Sequence, residues 1–212
     1  MKYSYIIWDW NGTLLDDVET NLRTADMMLE KRGLPVIGDA DTYRRMFRFP
    51  VIDFYRKAGF DLTEEDFHVM AEEYVETYRK NLYASRLFDD TREVLDAFEK
   101  AGLCQVILSA TEQTRLRLEV ASHGVEEYFY EILGVGDNLG NSKSDRGRTF
   151  VESIGGSSAL FVGDTVHDAD VAKSCGCDCV LVARGHMDRV RLEATGCKVF
   201  DSFAELVGYI LN

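Results

Sequence analysis

The sequence predicts an α/β protein, a parallel sheet with helices on both faces, interrupted by an all-helical insertion. Three observations predict it. Short apolar runs alternate with amphipathic stretches along most of the chain. The block from Asp39 to Leu82 carries helical periodicity with no strand-like run. Polar residues stand directly after several of the apolar runs. Strands separated by helices need crossover connections, which parallel pairing provides.

The elements follow in order. Tyr3 to Trp8 is a strand. Val18, Leu22, Ala25 and Leu29 recur at helical spacing, and Gly33 with Pro35 ends that helix. Within the helical block, Thr63 followed by Asp66 forms a capping box. Phe67, Met70, Tyr74 and Tyr78 make one apolar face behind it. Strand and helix then alternate again: a helix through Val94, Phe98 and Ala101, a strand from Leu103 to Leu108, a helix from Arg115 to Ser122, and a strand from Glu131 to Val135. A helix from Ser144 to Ile154, a strand from Ala159 to Val162, a helix from Val166 to Ser174 and a strand from Val180 to Val182 come next. Ser202 and Glu205 start a last helix through Phe203, Leu206, Val207 and Ile210. The expected division is an α/β core from residues 1–16 and 83–212, with a helical cap at 17–82 inserted after the first strand. Such a core is Rossmann-like, and its site lies at the carboxyl ends of the strands.

With 212 residues, 46% of them hydrophobic, the chain can bury a substantial core. Its 37 acidic residues outnumber 24 Lys and Arg, for a formal charge of −13. That balance argues against nucleic acid and anionic membranes as partners. No apolar run approaches the roughly 18 residues of a membrane span, and the N-terminal run is too short for a signal peptide, so a cytoplasmic protein is expected. The five cysteines are an odd count, and the run CGCDC (Cys175, Cys177, Cys179) lacks CxxC pairing or a nearby ligand histidine. Free thiols are expected, with Cys104 and Cys197 among them.

Polar residues follow the apolar runs in a definite order: Asp9 in DWNGTL, Ser109 in VILSAT, Lys143 in GNSKSD, then Asp164 and Asp168 in FVGDTVHD. Each alone is an ordinary turn acid, helix cap or surface lysine. Together, in this order and at the ends of a parallel sheet, they point to one shared site rather than to independent turns and caps. A carboxylate can attack phosphorus and split one hard step into two. The transition state spreads charge over the phosphoryl oxygens, so positioning and charge neutralisation carry the catalysis. Clustered carboxylates suit Mg²⁺, which takes hard oxygen ligands.

In these motifs, DxxGT, hydrophobic-Ser, Lys and GDxxxD, the whole chain resembles the haloacid dehalogenase superfamily of phosphatases and phosphotransferases. The insertion after the first motif looks like the cap of its phosphoglycolate phosphatase-like branch. The resemblance implies a Mg²⁺-dependent phosphatase acting on a small phosphorylated metabolite, as monomer or homodimer. It makes Asp9 the nucleophile. Asp9, Asp164, Asp168 and the backbone carbonyl of Asn11 would hold the metal. Ser109, Ala110, Gly12, Thr13 and Lys143 would bind phosphate, helped by N–H groups at the start of the helix after Ser109.

One position departs from the pattern. Two residues after the nucleophile, phosphatases of the family usually carry Asp, which protonates the leaving group and then activates water. Here it is Asn11, whose amide cannot do acid–base work at neutral pH. Phosphonoacetaldehyde hydrolase-like branches carry a small residue there and cation-pumping ATPases carry Thr. A phosphonatase-like or phosphotransfer enzyme, or a low-turnover phosphate-binding protein, therefore stands beside the phosphatase. In the cap, Arg44, Arg45 and Arg48 crowd the run YRRMFRFP and are candidates to meet an anionic group on the substrate. His167 and His186 lie near strand ends without an assigned role.

Overall fold

The computed structural model describes residues 2–81, 85–136, 143–155 and 158–212. Its centre is a six-stranded parallel sheet. The strands are β1 (Tyr5–Trp8), β4 (Cys104–Glu112), β5 (Glu131–Val135), β6 (Ala159–Gly163), β7 (Asp178–Val182) and β8 (Lys198–Phe200), in the order β5-β4-β1-β6-β7-β8. A further pair, β2 (Leu15–Asp16) and β3 (Arg86–Leu87), is antiparallel, with Leu15 opposite Leu87. From β1 the chain builds outward through β4 and β5, then returns to the other side of β1 for β6, β7 and β8. The order reverses at β1, and crevices for ligands form at such reversals.

Alternation along β1 divides the core. Ile6 and Trp8 face one side, where they pack with Trp10, Phe98 and Phe203, while Ile7 faces the other with Val106 and Phe161. The helices lining these faces are α5 (Thr91–Lys100), α6 (Gln113–Ser122), α7 (Lys143–Ser153), α8 (Val166–Cys175) and α10 (Phe203–Leu211), with a short α9 (Arg189–Glu193) before β8. Between β2 and β3 lie α1 (Val18–Glu30), α2 (Ala40–Met46), α3 (Val51–Lys57) and α4 (Glu64–Asn81). These four share a core of their own, in which Leu22, Tyr43, Phe54 and Met70 pack with Leu181, Met187 and Leu192 of the sheet side. The capping box at the head of α4 forms in both directions: Thr63 Oγ1 accepts from the Asp66 N–H, and Asp66 Oδ2 accepts from the Thr63 N–H.

One expectation needs correction. The strand expected to end at Leu108 runs on to Glu112, with a shift of register against β5 between Leu108 and Glu112, so Ser109 sits within a strand. The pair β2–β3, helix α9 and strand β8 escaped the sequence, because runs of two to five residues carry no measurable periodicity. Leu82, the expected end of the helical block, and residues 140–142 of the GNSKSD run lie outside the described residues. No helix among the described residues is long and apolar enough to cross a membrane.

Candidate active site

Three adjacent strands, β4, β1 and β6, place Ser109, Asp9 and Asp164 side by side. Asp9 leaves β1 with its N–H still donating to Val162 O of β6 at 2.9 Å. The chain then turns through Gly12, whose φ of +74° is left-handed. A Cβ there would lie 2.4 Å from Asp164 Oδ2, so both the turn and the close approach require glycine. Thr13 Oγ1 donates to Asp164 Oδ1 at 3.2 Å, which ties the first motif to the last.

Lys143, the first residue of α7, is 2% exposed. Its Nζ donates to Asp9 Oδ1 at 2.6 Å and to Asp168 Oδ1 at 2.7 Å. The other Asp168 oxygen closes the capping box of α8, accepting from the Thr165 N–H at 3.0 Å and Oγ1 at 2.7 Å. One carboxylate thus fixes both a helix start and the lysine that faces Asp9. Burial would raise Asp168, but the charge and hydrogen bond of Lys143 outweigh it and hold the acid below the usual carboxylate range. Asp9 goes the other way. Burial pushes its carboxyl well up, Lys143 opposes, and the charges of Asp168 and Asp164 add to the rise. Burial likewise lifts Asp164 to about 6.

Asp9, Asp164 and Asp168 are all buried and offer oxygens within 4.8 Å of one another. One buried lysine cannot neutralise three carboxylates, and the raised Asp9 and Asp164 record the shortfall. A hard, oxygen-seeking divalent cation fits this donor set. It is the one group of metal-binding type among the described residues. The cysteines form no such group, and all five are free thiols.

Asp17 is the site residue that sequence reasoning missed. It stands before α1 but makes no side-chain cap bond to the helix. It is 1% exposed and gathers donors instead: Asn11 Nδ2 at 2.8 Å, Asn21 Nδ2 at 2.7 Å, Tyr78 Oη at 2.8 Å and the Gly12 N–H at 3.0 Å. His186 Nε2 also faces it, at 3.1 Å. Burial alone would raise Asp17, but the charge and hydrogen bond of His186, with Asn11 and Tyr78, hold it low. Burial would in turn lower His186, yet Asp17 outweighs that and lifts it to about 9, so the ring is an imidazolium at neutral pH. Both ring nitrogens then donate, Nε2 to Asp17 and Nδ1 to Tyr43 Oη at 3.1 Å. The His186 N–H donates to Asp164 Oδ2 at 2.6 Å. Its position near a strand end was the only sequence signal for it. Thr111, also missed, donates to Asn11 Oδ1 at 2.8 Å.

A cavity of about 170 Å³ joins these groups. Asp9, Asn11, Ser109, Ala110, Lys143, Asp164 and Asp168 line its floor. The face expected on α4 is part of its wall, through Phe67, Met70, Tyr74 and Tyr78. Gly12 and Thr13 lie beneath, packed on Asp164 rather than lining it. The expected help from the start of α6 does not materialise. Glu112 caps that helix, accepting from the Thr114 and Arg115 N–H groups at 2.8 and 3.0 Å, so those donors are engaged. Nor do Arg44, Arg45 and Arg48 line the cavity. Arg44 Nε donates to Gly185 O at 2.9 Å, Arg45 Nη2 to Thr42 Oγ1 at 2.9 Å and Arg48 Nε to Met46 O at 3.1 Å. The arginine on the cavity wall is Arg115. His167 does not line the cavity itself but is stacked on Phe49, which does, their ring centroids 4.4 Å apart.

Known proteins are similar to this chain in sequence and in fold. A phosphoglycolate phosphatase of Neisseria gonorrhoeae is 29% identical over 201 residues, 88% of this chain and 83% of its own length. A phosphoglycolate phosphatase of Pseudomonas savastanoi is 24% identical over 95% of this chain and 78% of its own. A crystal structure from Clostridium acetobutylicum, described as a predicted phosphatase, superposes with a TM-score of 0.85 at 22% identity. It covers 100% of this chain and 99% of its own, and shows the same fold. The family model of the haloacid dehalogenase-like hydrolases matches residues 6–182, and the chain belongs to that family of enzymes.

Proposed function

We propose that the chain is a magnesium-dependent phosphatase of small phosphorylated metabolites, working through an aspartyl phosphate on Asp9. The observation that carries the reading is the buried cluster of Lys143 between Asp9 and Asp168, with Asp164 beside it, at the floor of one cavity. The phosphoglycolate phosphatases among its relatives support it. In this reading residues 1–16 and 83–212 carry the chemistry, and residues 17–82 form a cap that sets substrate choice.

The contacts of Asp9, Lys143, Asp164 and Asp168 support the following roles. Asp9, Asp164 and Asp168, with the Asn11 carbonyl, would hold Mg²⁺, which supplies charge neutralisation for the phosphoryl oxygens. Lys143 adds a fixed positive charge beside Asp9 and orients its carboxylate. Ser109 Oγ and the Ala110 N–H hold phosphoryl oxygens. An Asp9 oxygen bonds to phosphorus as the bond from phosphorus to the leaving oxygen breaks. Water then attacks phosphorus, freeing Asp9 and inorganic phosphate. Neither step gains a proton donor or acceptor from Asn11, whose amide is held between Asp17 and Thr111. That observation favours a second reading, a phosphotransfer or phosphonatase-like enzyme whose first step outruns its second. The test is phosphate release with Mg²⁺ across phosphomonoesters, acyl phosphates and phosphonates, with Asp9→Asn as the control. Release from monoesters supports the phosphatase. Release confined to phosphonates supports the second reading, and no release from any compound refutes both.

A further inference from the structure

The wall above Asp9 is made of rings. Phe47 and Phe54 lie 5.5 Å apart, Phe54 and Tyr55 5.0 Å, Tyr55 and Tyr74 6.4 Å, and Tyr74 and Tyr78 5.7 Å, a continuous belt from His186 round to Asn11. The hydroxyls of Tyr43, Tyr74 and Tyr78 are already engaged. Tyr78 donates to Asp17, Tyr74 to Asn21, and Tyr43 pairs with His186. The belt therefore offers ring carbon to the cavity, and ring carbon suits a flat apolar partner. The cavity, about 170 Å³, is of the size of the ~150 Å³ engineered cavity that holds benzene. A glycolyl leaving group, two carbons and a carboxylate, would leave that wall bare.

One polar feature interrupts the belt. Arg115 and Glu119 line the cavity side by side, with Nε and Oε1 at 3.7 Å, too far for a hydrogen bond. Arg115 Nε and Nη1 and Glu119 Oε1 are buried with no hydrogen-bond partner, an arrangement costly to leave unmade. Glu119 Oε2 is taken by Trp10 Nε1 at 3.1 Å.

We propose that the substrate is an aryl phosphate whose ring lies on the aromatic belt and carries a carboxylate bound by Arg115. The inference rests on the phosphatase reading and names its substrate class. The carboxylate accepts from Arg115 in a charge-assisted pair. Burial raises Glu119 to about 7, and its protonated form donates from Oε1 to the same group. Asn11 agrees with this class independently, since a phenolate departs with less need of a proton than an alkoxide does.

Binding decides it without the bias of leaving-group reactivity. The Asp9→Asn protein with Mg²⁺ is titrated by calorimetry with 2-, 3- and 4-carboxyphenyl phosphate, phenyl phosphate and 2-phosphoglycolate. At least one carboxyphenyl isomer is expected to bind about tenfold or more tighter than phenyl phosphate, and phosphoglycolate more weakly than either. Arg115→Met added to that protein should cost the carboxyphenyl isomer about 10-fold or more, the worth of a charge-assisted bond, and phenyl phosphate little. Arg115→Lys should restore part of the loss. Phosphoglycolate binding tighter than every aryl phosphate overturns the inference, as does equal weakening of all ligands by Arg115→Met. The phosphatase reading fails separately, when the unsubstituted protein releases phosphate from nothing while the binding order stands.

Discussion

Asn11 Nδ2 donates to Asp17 Oδ2 at 2.8 Å, so the amide at the position of the family's usual acid is matched to a buried carboxylate. With Oδ1 accepting from Thr111, both ends of the amide are satisfied. An aspartate at residue 11 would face Asp17 oxygen to oxygen, and one of the two would have to keep a proton. Asn11 therefore fits its surroundings without strain or excess charge.

That pairing sharpens what Asn11→Asp should do. The new acid, held partly protonated by Asp17, becomes a proton donor. General acid–base help is worth roughly 10²–10⁴-fold. Steady-state rates with Mg²⁺ should rise for alkyl phosphates far more than for aryl phosphates with acidic phenols or acyl phosphates. The unsubstituted protein should accumulate phosphorylated Asp9, visible by rapid quench and mass spectrometry. Brisk alkyl phosphate hydrolysis with Asn11 in place would refute this.

Asp9→Asn should abolish turnover, by about 10⁴-fold or more, while the fold persists. Asp9 sits with its carboxyl pushed well up by burial and its neighbours, so removing that charge takes nothing essential from stability. Thermal melts should place the variant within a few degrees of the parent. Near-normal phosphate release by the purified variant would remove Asp9 as nucleophile.

Excess chelator should silence the enzyme, and Mg²⁺ should restore it. The same cation should raise the melting temperature, because it relieves the repulsion among Asp9, Asp164 and Asp168. Saturation at 100 times Kd corresponds to about 2.7 kcal/mol. Ca²⁺, with its larger and looser coordination, should stabilise the fold yet inhibit turnover. Activity undiminished in chelator would exclude this account.

Glu119 gives a pH signature. Burial lifts it to about 7 in the folded protein, above the 4.5 of an exposed glutamate. Between those values the folded state holds a proton the unfolded state has lost, so stability falls as pH rises. Glu119→Gln removes the titrating group, and the variant's melting temperature should gain on the parent's from pH 5 to pH 8. Parallel curves across that window would show that Glu119 does not titrate there.

Arg44→Ala should cost stability and leave KM for small phosphates almost unchanged. Its side chain fastens α2 to the Gly185 carbonyl and does not line the cavity. Loss of that bond is worth about 1 kcal/mol. A large rise in KM would return the arginine to the substrate.

The parallel sheet was legible because short apolar runs alternate with amphipathic stretches, and the site because several of those runs are followed by an acid, hydroxyl or lysine. Asp9, Lys143, Asp164 and Asp168 meet for that reason. Asp17 was not legible. An acid before a helix reads as a cap, and only the folding of α4 against α1 turns Tyr78 onto it. The arginines at 44, 45 and 48 misled for a related reason. Clustering in sequence marks a charged helix, and it takes the packing of α2 on the Gly185 loop to show where Arg44 points. The hydrogen bond of Thr111 to Asn11 spans 100 positions, beyond any local pattern.

The two-residue ladder of β2 and β3 has a consequence for how this chain can change. Leu15 stands opposite Leu87, and the Phe88 N–H donates to the Leu14 carbonyl at 3.1 Å, so the path out to the four helices and the path back begin and end at one place. The sheet experiences the whole excursion as a single short hairpin. Helices there can be lengthened, reordered or exchanged while Asp9, Asp164 and Lys143 keep their spacing. The aromatic wall that the excursion lends to the cavity can be rewritten through such changes without moving the acids and the lysine beneath it.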